Sequence, residues 1–352
     1  MNYRQNTLRA YRFQRPEWIP VTTGYPTMMW QHYAADDLQA LMASHPILFP
    51  GYQPGDPREH RVETRQDRIA GKPYTDYWGC VWETAYTGMV GHVSYHPLAD
   101  WNHLAGFQPP DPQFNDGLLP LDWPQLETAA ADCRKDDRLF SLYLPHGHTF
   151  LRLLDLRGYE TVMMDMADDE PRLWQLLQML EDFNLELLNR FIRLKPDIIG
   201  VPEDLGMQDR LMISPRHYRK YIKPSYLKMT GLIKQNGILV HEHTDGYIMQ
   251  IVDDLIEAGG DILNLQDLVN GIDNIARTIK GRLAIDLDID RQSVTVRGSP
   301  KDIDDHIREC VVKLGSPQGG LSLLYQPWPE TPLENMRAVF DALEKYCTFY
   351  HS

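Results

Sequence analysis

At 352 residues the chain can bury a large core, and 43% hydrophobic with 24% charged residues is an ordinary globular composition. A formal charge of -14 without a basic stripe excludes a broad nucleic-acid surface, while leaving room for a local basic pocket. No apolar run is long enough to span a bilayer, and the opening MNYRQNTLRAYRF lacks the apolar centre of a signal peptide, so a cytoplasmic protein away from membranes is expected.

Cys80, Cys133, Cys310 and Cys347 include no close pair, so the sequence implies neither a disulfide framework nor a thiolate zinc cluster. Any metal is expected to be held mainly by nitrogen and oxygen.

Residues 1–60 are rich in aromatics and prolines, and a short helix is predicted over Ala35 to Ala43 behind the acidic start Asp36-Asp37. Arg4, Arg9, Arg12 and Arg15 suit a solvated arm, or else an anion or homodimer contact. Arg61 to Arg68 and then Asp76 to Trp82 read as a polar strand, a turn and a buried aromatic strand or hairpin. Trp78 and Trp82 suit packing first, with Trp78 also a candidate wall for a substrate.

From Leu139 the rhythm is βα. Phe140 to Leu144 reads as a strand, Phe150 to Arg157 as a helix, and His146 and His148 flank Gly147 between them, where they can meet a substrate or form a tight turn. Thr161 to Met166 reads as a short strand or a helical turn. Glu170-Pro171 starts a long amphipathic helix through Arg190, with its stripe at Leu173, Leu176, Leu177, Leu180, Phe183 and Leu187. Asp197 to Val201 is the next strand, and Glu203 and Asp204 follow at its lip. This carboxylate pair can supply a metal ligand and a proton-transfer group, or cap a helix and pair with Arg210.

Leu239 and Val240 open a strand that runs into His241-Glu-His243-Thr-Asp245 and stops at Gly246. His241, His243 and Asp245 share one parity, so an extended backbone points them to one side. They can ligate a metal or act as a base with its orienting partner, and the bland alternative is a solvated loop. Further strands are predicted at Asp261 to Asn264, Leu283 to Leu287 and Leu321 to Tyr325, with helices at Ile248 to Ala258, 270–280, Ser299-Pro300 to Leu314, and after Thr331-Pro332. The repeat implies a TIM-type (β/α)8 barrel, residues 61–352, carrying an aromatic- and proline-rich extension, residues 1–60.

The passages Pro202-Glu-Asp-Leu-Gly206 leading into Ile213-Ser-Pro215, Val240 to Gly246 followed by Asp254 to Gly259 and Asp261 to Asn264, and Thr331-Pro-Leu-Glu-Asn335 resemble the uroporphyrinogen decarboxylase superfamily, including its corrinoid-linked methyltransferases. In the zinc methyltransferases of that superfamily a His-x-Cys pair and a later cysteine hold the metal. Here His243 stands at the histidine position, Asp245 replaces the first cysteine, and Leu321 to Trp328 contains no cysteine. The resemblance therefore implies a harder zinc site of His243, Asp245 and Glu203, with Asp204 assisting proton transfer and His241 or a residue near Tyr325 contributing. Asp76 is similar in position to the substrate-binding aspartate of the decarboxylase, whose arginine-rich amino-terminal signature is absent from this chain. The leading expectation is a metal-dependent methyltransferase that moves a methyl group between a small substrate and a corrinoid carried by a partner protein. The alternatives are cofactor-free decarboxylation of a carboxylated aromatic or tetrapyrrole-like substrate, and a barrel that binds a ligand without turnover.

Overall fold

The repeat of apolar run, polar lip and amphipathic segment folds into strands and helices in the computed structural model, which describes residues 1–53 and 65–350. Ten strands occur among the described residues: β1 Val21–Thr23, β2 Tyr74–Thr75, β3 Val81–Glu83, β4 His92–Tyr95, β5 Ser141–Tyr143, β6 Ile198–Pro202, β7 Leu239–His243, β8 Ile262–Gln266, β9 Ala284–Asp288 and β10 Leu321–Tyr325. β2, β3 and β4 form a small antiparallel sheet, and the other seven run in parallel ladders. Parallel strands with intervening helices give the expected α/β class of TIM type, with seven such strands described against the eight of an ideal barrel. The boundary expected at residue 60, and most of the polar strand expected from Arg61, fall outside the described residues, and Gln66–Arg68 is a single 3-10 turn.

The chain divides into two compact units. The first comprises Met1–Ile69, Tyr86–Met89 and Leu265–Ser352. Within it β1 pairs with β10 and β10 with β9, so the amino-terminal arm contributes a strand of its own, with Val21 opposite Leu323. A helix not anticipated from the sequence, Tyr3–Tyr11, begins where the Asn2 side chain accepts a hydrogen bond from the Gln5 amide. Helix Pro300–Leu314 starts as predicted, with Ser299 and Asp302 forming a reciprocal capping box.

The second unit comprises Ala70–Ala85 and Val90–Asn264 and carries β2 to β7 with the start of β8. Ser141 lies opposite Ile198, Ile198 opposite Leu239, and His243 opposite Asn264. Helix Pro171–Arg193 buries all six residues of the predicted stripe. Each leucine so buried contributes about 1.5–3 kcal/mol, and truncating Leu176 to alanine is expected to cost about 2–5 kcal/mol. Thr161 to Met166 lies inside helix Tyr159–Asp168 and forms no strand. No helix among the described residues is long and apolar enough to cross a membrane.

Candidate functional site

The ends of β6 and β7 are clipped together by three backbone amides of the β6 lip. The Glu203 amide donates to the His243 carbonyl at 2.9 Å, the Gly206 amide to the Asp245 carbonyl at 3.2 Å, and the Leu205 amide to Thr244 Oγ1 at 3.0 Å. Gly246 has φ +79°, and a Cβ there would stand 2.3 Å from the Gly206 carbonyl carbon, so only glycine lets the two lips meet. This close approach fixes where Asp204 and Asp245 emerge.

Asp204 is the centre of the group that results. Its Oδ1 accepts the Asp245 amide at 3.0 Å and lies 3.2 Å from His146 Nε2 and 3.6 Å from His243 Nε2. One ligating atom each of His146, Asp204 and His243 falls within 4.8 Å of the others. On its far side the His243 ring meets Asn264 Oδ1 through Nδ1 at 2.5 Å. An amide oxygen only accepts, so this contact assigns the ring proton to Nδ1 and leaves the Nε2 lone pair facing Asp204.

Burial holds His243 below the ordinary histidine value, against the opposing charges of Asp245 and Asp204. Burial would lower His146 too, but its hydrogen bond to Asp204 and the carboxylate charges around it outweigh that and raise it. Asp204 is held below the usual carboxylate range because contacts with His146 and His243 and the Asp245 amide overcome its desolvation. Two imidazoles flank one carboxylate, and Asp245 Oδ1 is buried beside them with no hydrogen-bond partner. Such a donor set fits a divalent cation of the zinc type, which takes nitrogen and oxygen ligands and gives an unpaired buried oxygen a partner.

Glu203, expected beside Asp204 as a ligand, turns the other way. Its Oε2 accepts the amides of Thr149 and Phe150 and its Oε1 that of Leu151, each at 2.9 Å, so it closes the amino-terminal end of helix Phe150–Arg157. Complete burial pushes its carboxyl up to about 7 even against those three amides. His148, expected at the substrate, is buried against Thr149 and Tyr226, and desolvation drops its imidazole to about 3. Trp78 is core: it stacks on Phe107 and meets Phe183 edge-on. Asp76 is fully engaged by the amides of Trp78 and Cys80, the Trp82 indole and the buried Arg152 guanidinium.

His241 lies two residues before His243 on β7, and the Tyr143 ring approaches it edge-on at 5.8 Å. The Tyr143 ring covers Gly200, where any Cβ would collide with it, yet Tyr143 remains 49% exposed. Tyr325 belongs to the first unit, where it is buried against Phe340 and desolvation raises its phenol to about 12. The structure thus joins His243 and Asp204 with His146, which was expected only to touch substrate. It also adds Asn264, to which the sequence had given no role. The signal for Asn264 lay in register, since it stands directly opposite His243.

The sequence matches the uroporphyrinogen decarboxylase family model over residues 153–346. Among solved structures, a methyltransferase from Methanosarcina mazei is similar across 98% of this chain and 99% of its own, at 16% identity with a TM-score of 0.66. A B12-independent methionine synthase from a Shewanella species is similar over 64% of this chain and 66% of its own, at 13% identity with a TM-score of 0.42. No curated protein matches the sequence.

Proposed function

The chain belongs to the uroporphyrinogen decarboxylase family, and from that premise we propose that it is a metal-dependent methyltransferase acting between a small substrate and a corrinoid protein. The observation that carries the reading is the convergence of His146, Asp204 and His243 within ligating distance of one another. These three side chains would hold zinc, with Asp245 beside them in the place of a thiolate. Bound zinc supplies a Lewis acid that polarises the methyl-bearing or methyl-accepting heteroatom. A corrinoid carried by a partner protein would supply the cobalt chemistry of methyl transfer.

The remaining work falls to this chain's own residues. Asn264 fixes the His243 tautomer through Nδ1, so that Nε2 stays available as a ligand. Asp245, whose buried Oδ1 has no hydrogen-bond partner, would complete the donor set at that oxygen. Tyr143, whose exposed ring stands edge-on to His241 on β7, would orient a small substrate. Similarity to the Methanosarcina methyltransferase over nearly the full length of both chains supports the choice of methyl transfer within the family. Decarboxylation through Asp76 is disfavoured, because both of its oxygens are already engaged by protein donors.

The test is methyl transfer to free cob(I)alamin by zinc-loaded protein, over a panel of methyl ethers, amines and thioethers. Turnover with one of these, falling by about 100-fold or more in His243→Ala, is expected for loss of a positioned electrostatic group. Carbon dioxide release from an acidic substrate, or equal methyl transfer by the folded variant, would overturn it.

A further inference from the structure

A second set of donors lies inside the first unit. Asp267, His306 and Cys310 are all buried, and one ligating atom of each falls within 4.8 Å of the others. His306 and Cys310 are four residues apart on helix Pro300–Leu314, which brings them onto one face, and Asp267 follows directly on β8. His306 Nε2 stands 2.7 Å from Asp267 Oδ2 and 3.9 Å from Cys310 Sγ, so one imidazole nitrogen sits between a carboxylate and a thiol.

The surroundings hold this arrangement in place. Asp267 Oδ1 accepts the Leu268 amide at 2.5 Å and Oδ2 the Asp290 amide at 3.1 Å, which orients the carboxylate toward the histidine. The other two buried cysteines use their thiols differently, donating to the carbonyls of Asp155 and Glu344 at 3.3 and 3.2 Å. The contact found for Cys310 is instead with an imidazole nitrogen.

We propose that Asp267, His306 and Cys310 form a structural metal site, taking zinc or a similar borderline divalent cation and tying helix Pro300–Leu314 to the end of β8. Oxygen, nitrogen and sulfur donors together suit zinc, which accepts all three. Loading releases two protons to solvent, that of the Cys310 thiol and that held between His306 and Asp267. The dication is then balanced by one carboxylate and one thiolate, so the buried centre is neutral, as burial requires. This site stands independently of the methyltransferase reading.

The test uses the whole chain, stripped with chelator and titrated with cobalt(II). The His146, Asp204 and His243 centre contains no sulfur, so a near-ultraviolet thiolate-to-cobalt charge-transfer band reports only on a cysteine site. The band is expected in the parent protein and in His243→Ala and Cys133→Ser, and it is lost in Cys310→Ser together with part of the bound cobalt. X-ray absorption of the zinc-loaded parent, which needs no variant to fold, should show sulfur in the first shell. Cobalt uptake without the band, a zinc shell without sulfur, or a band that survives in Cys310→Ser would overturn the proposal.

Discussion

Replacing Glu203 separates a helix cap from a metal ligand. In the native protein three amides at the start of helix Phe150–Arg157 end on its two oxygens, and the residue is completely buried. A buried donor left without an acceptor costs about 1–3 kcal/mol. Glu203→Ala orphans all three, so a loss of about 3–5 kcal/mol is expected once partial access of water is allowed for. Glu203→Gln keeps one acceptor oxygen but turns an amide group toward a backbone donor, and a loss of about 1–3 kcal/mol follows. Urea unfolding of the zinc-loaded protein, read by circular dichroism, measures both. In the folded fraction of Glu203→Gln the zinc affinity should match the parent. If Glu203→Gln keeps full stability but loses zinc, Glu203 is a ligand and the assignment of that role to His146 fails.

Asn264→Ala should weaken zinc binding by about 10–100-fold, as loss of an outer-shell partner does, with little change in fold; competition with a chromophoric chelator measures it, and unchanged affinity would remove Asn264 from the site. The pH dependence of stability offers a separate check at Asp155, which burial raises to about 6 from its unperturbed 3.8. A carboxyl raised on folding contributes stability that is complete below the unfolded value and is lost as pH rises through the folded one. The parent should therefore lose about 1–3 kcal/mol relative to Asp155→Asn between about pH 4 and pH 6. Parallel stability profiles for the two proteins would contradict the burial argument.

The elements that could be read from the sequence were those whose signal is local. The stripe from Leu173 to Leu187, the Ser299-Pro300 cap and the strand running into His243 follow from periodicity and capping chemistry, and the structure reproduces them. Helix Tyr3–Tyr11 went unread because its basic residues suggested a solvated arm. At the site, local signals marked both Glu203 and Asp204 but could not separate them. Neighbouring residues at a strand end face opposite ways, and only the folded chain shows which one meets a helix terminus. His146 and Asn264 were harder still, since one joins His243 from the lip after β5 and the other from the middle of β8, and both depend on registers set by the sheet. Asp76 and Trp78 carried residue types suited to binding, yet distant partners, Arg152 for Asp76 and Phe183 for Trp78, help consume both in packing and support.

That His146, Asp204 and His243 hold a metal is decided by anomalous diffraction at the zinc edge from protein purified without chelator. The expected result is a peak about 2 Å from the Nε2 atoms of His146 and His243 and from a carboxylate oxygen of Asp204. Zinc-saturated crystals with no peak among these three side chains, or with one bound by Glu203 in place of His146, would contradict it.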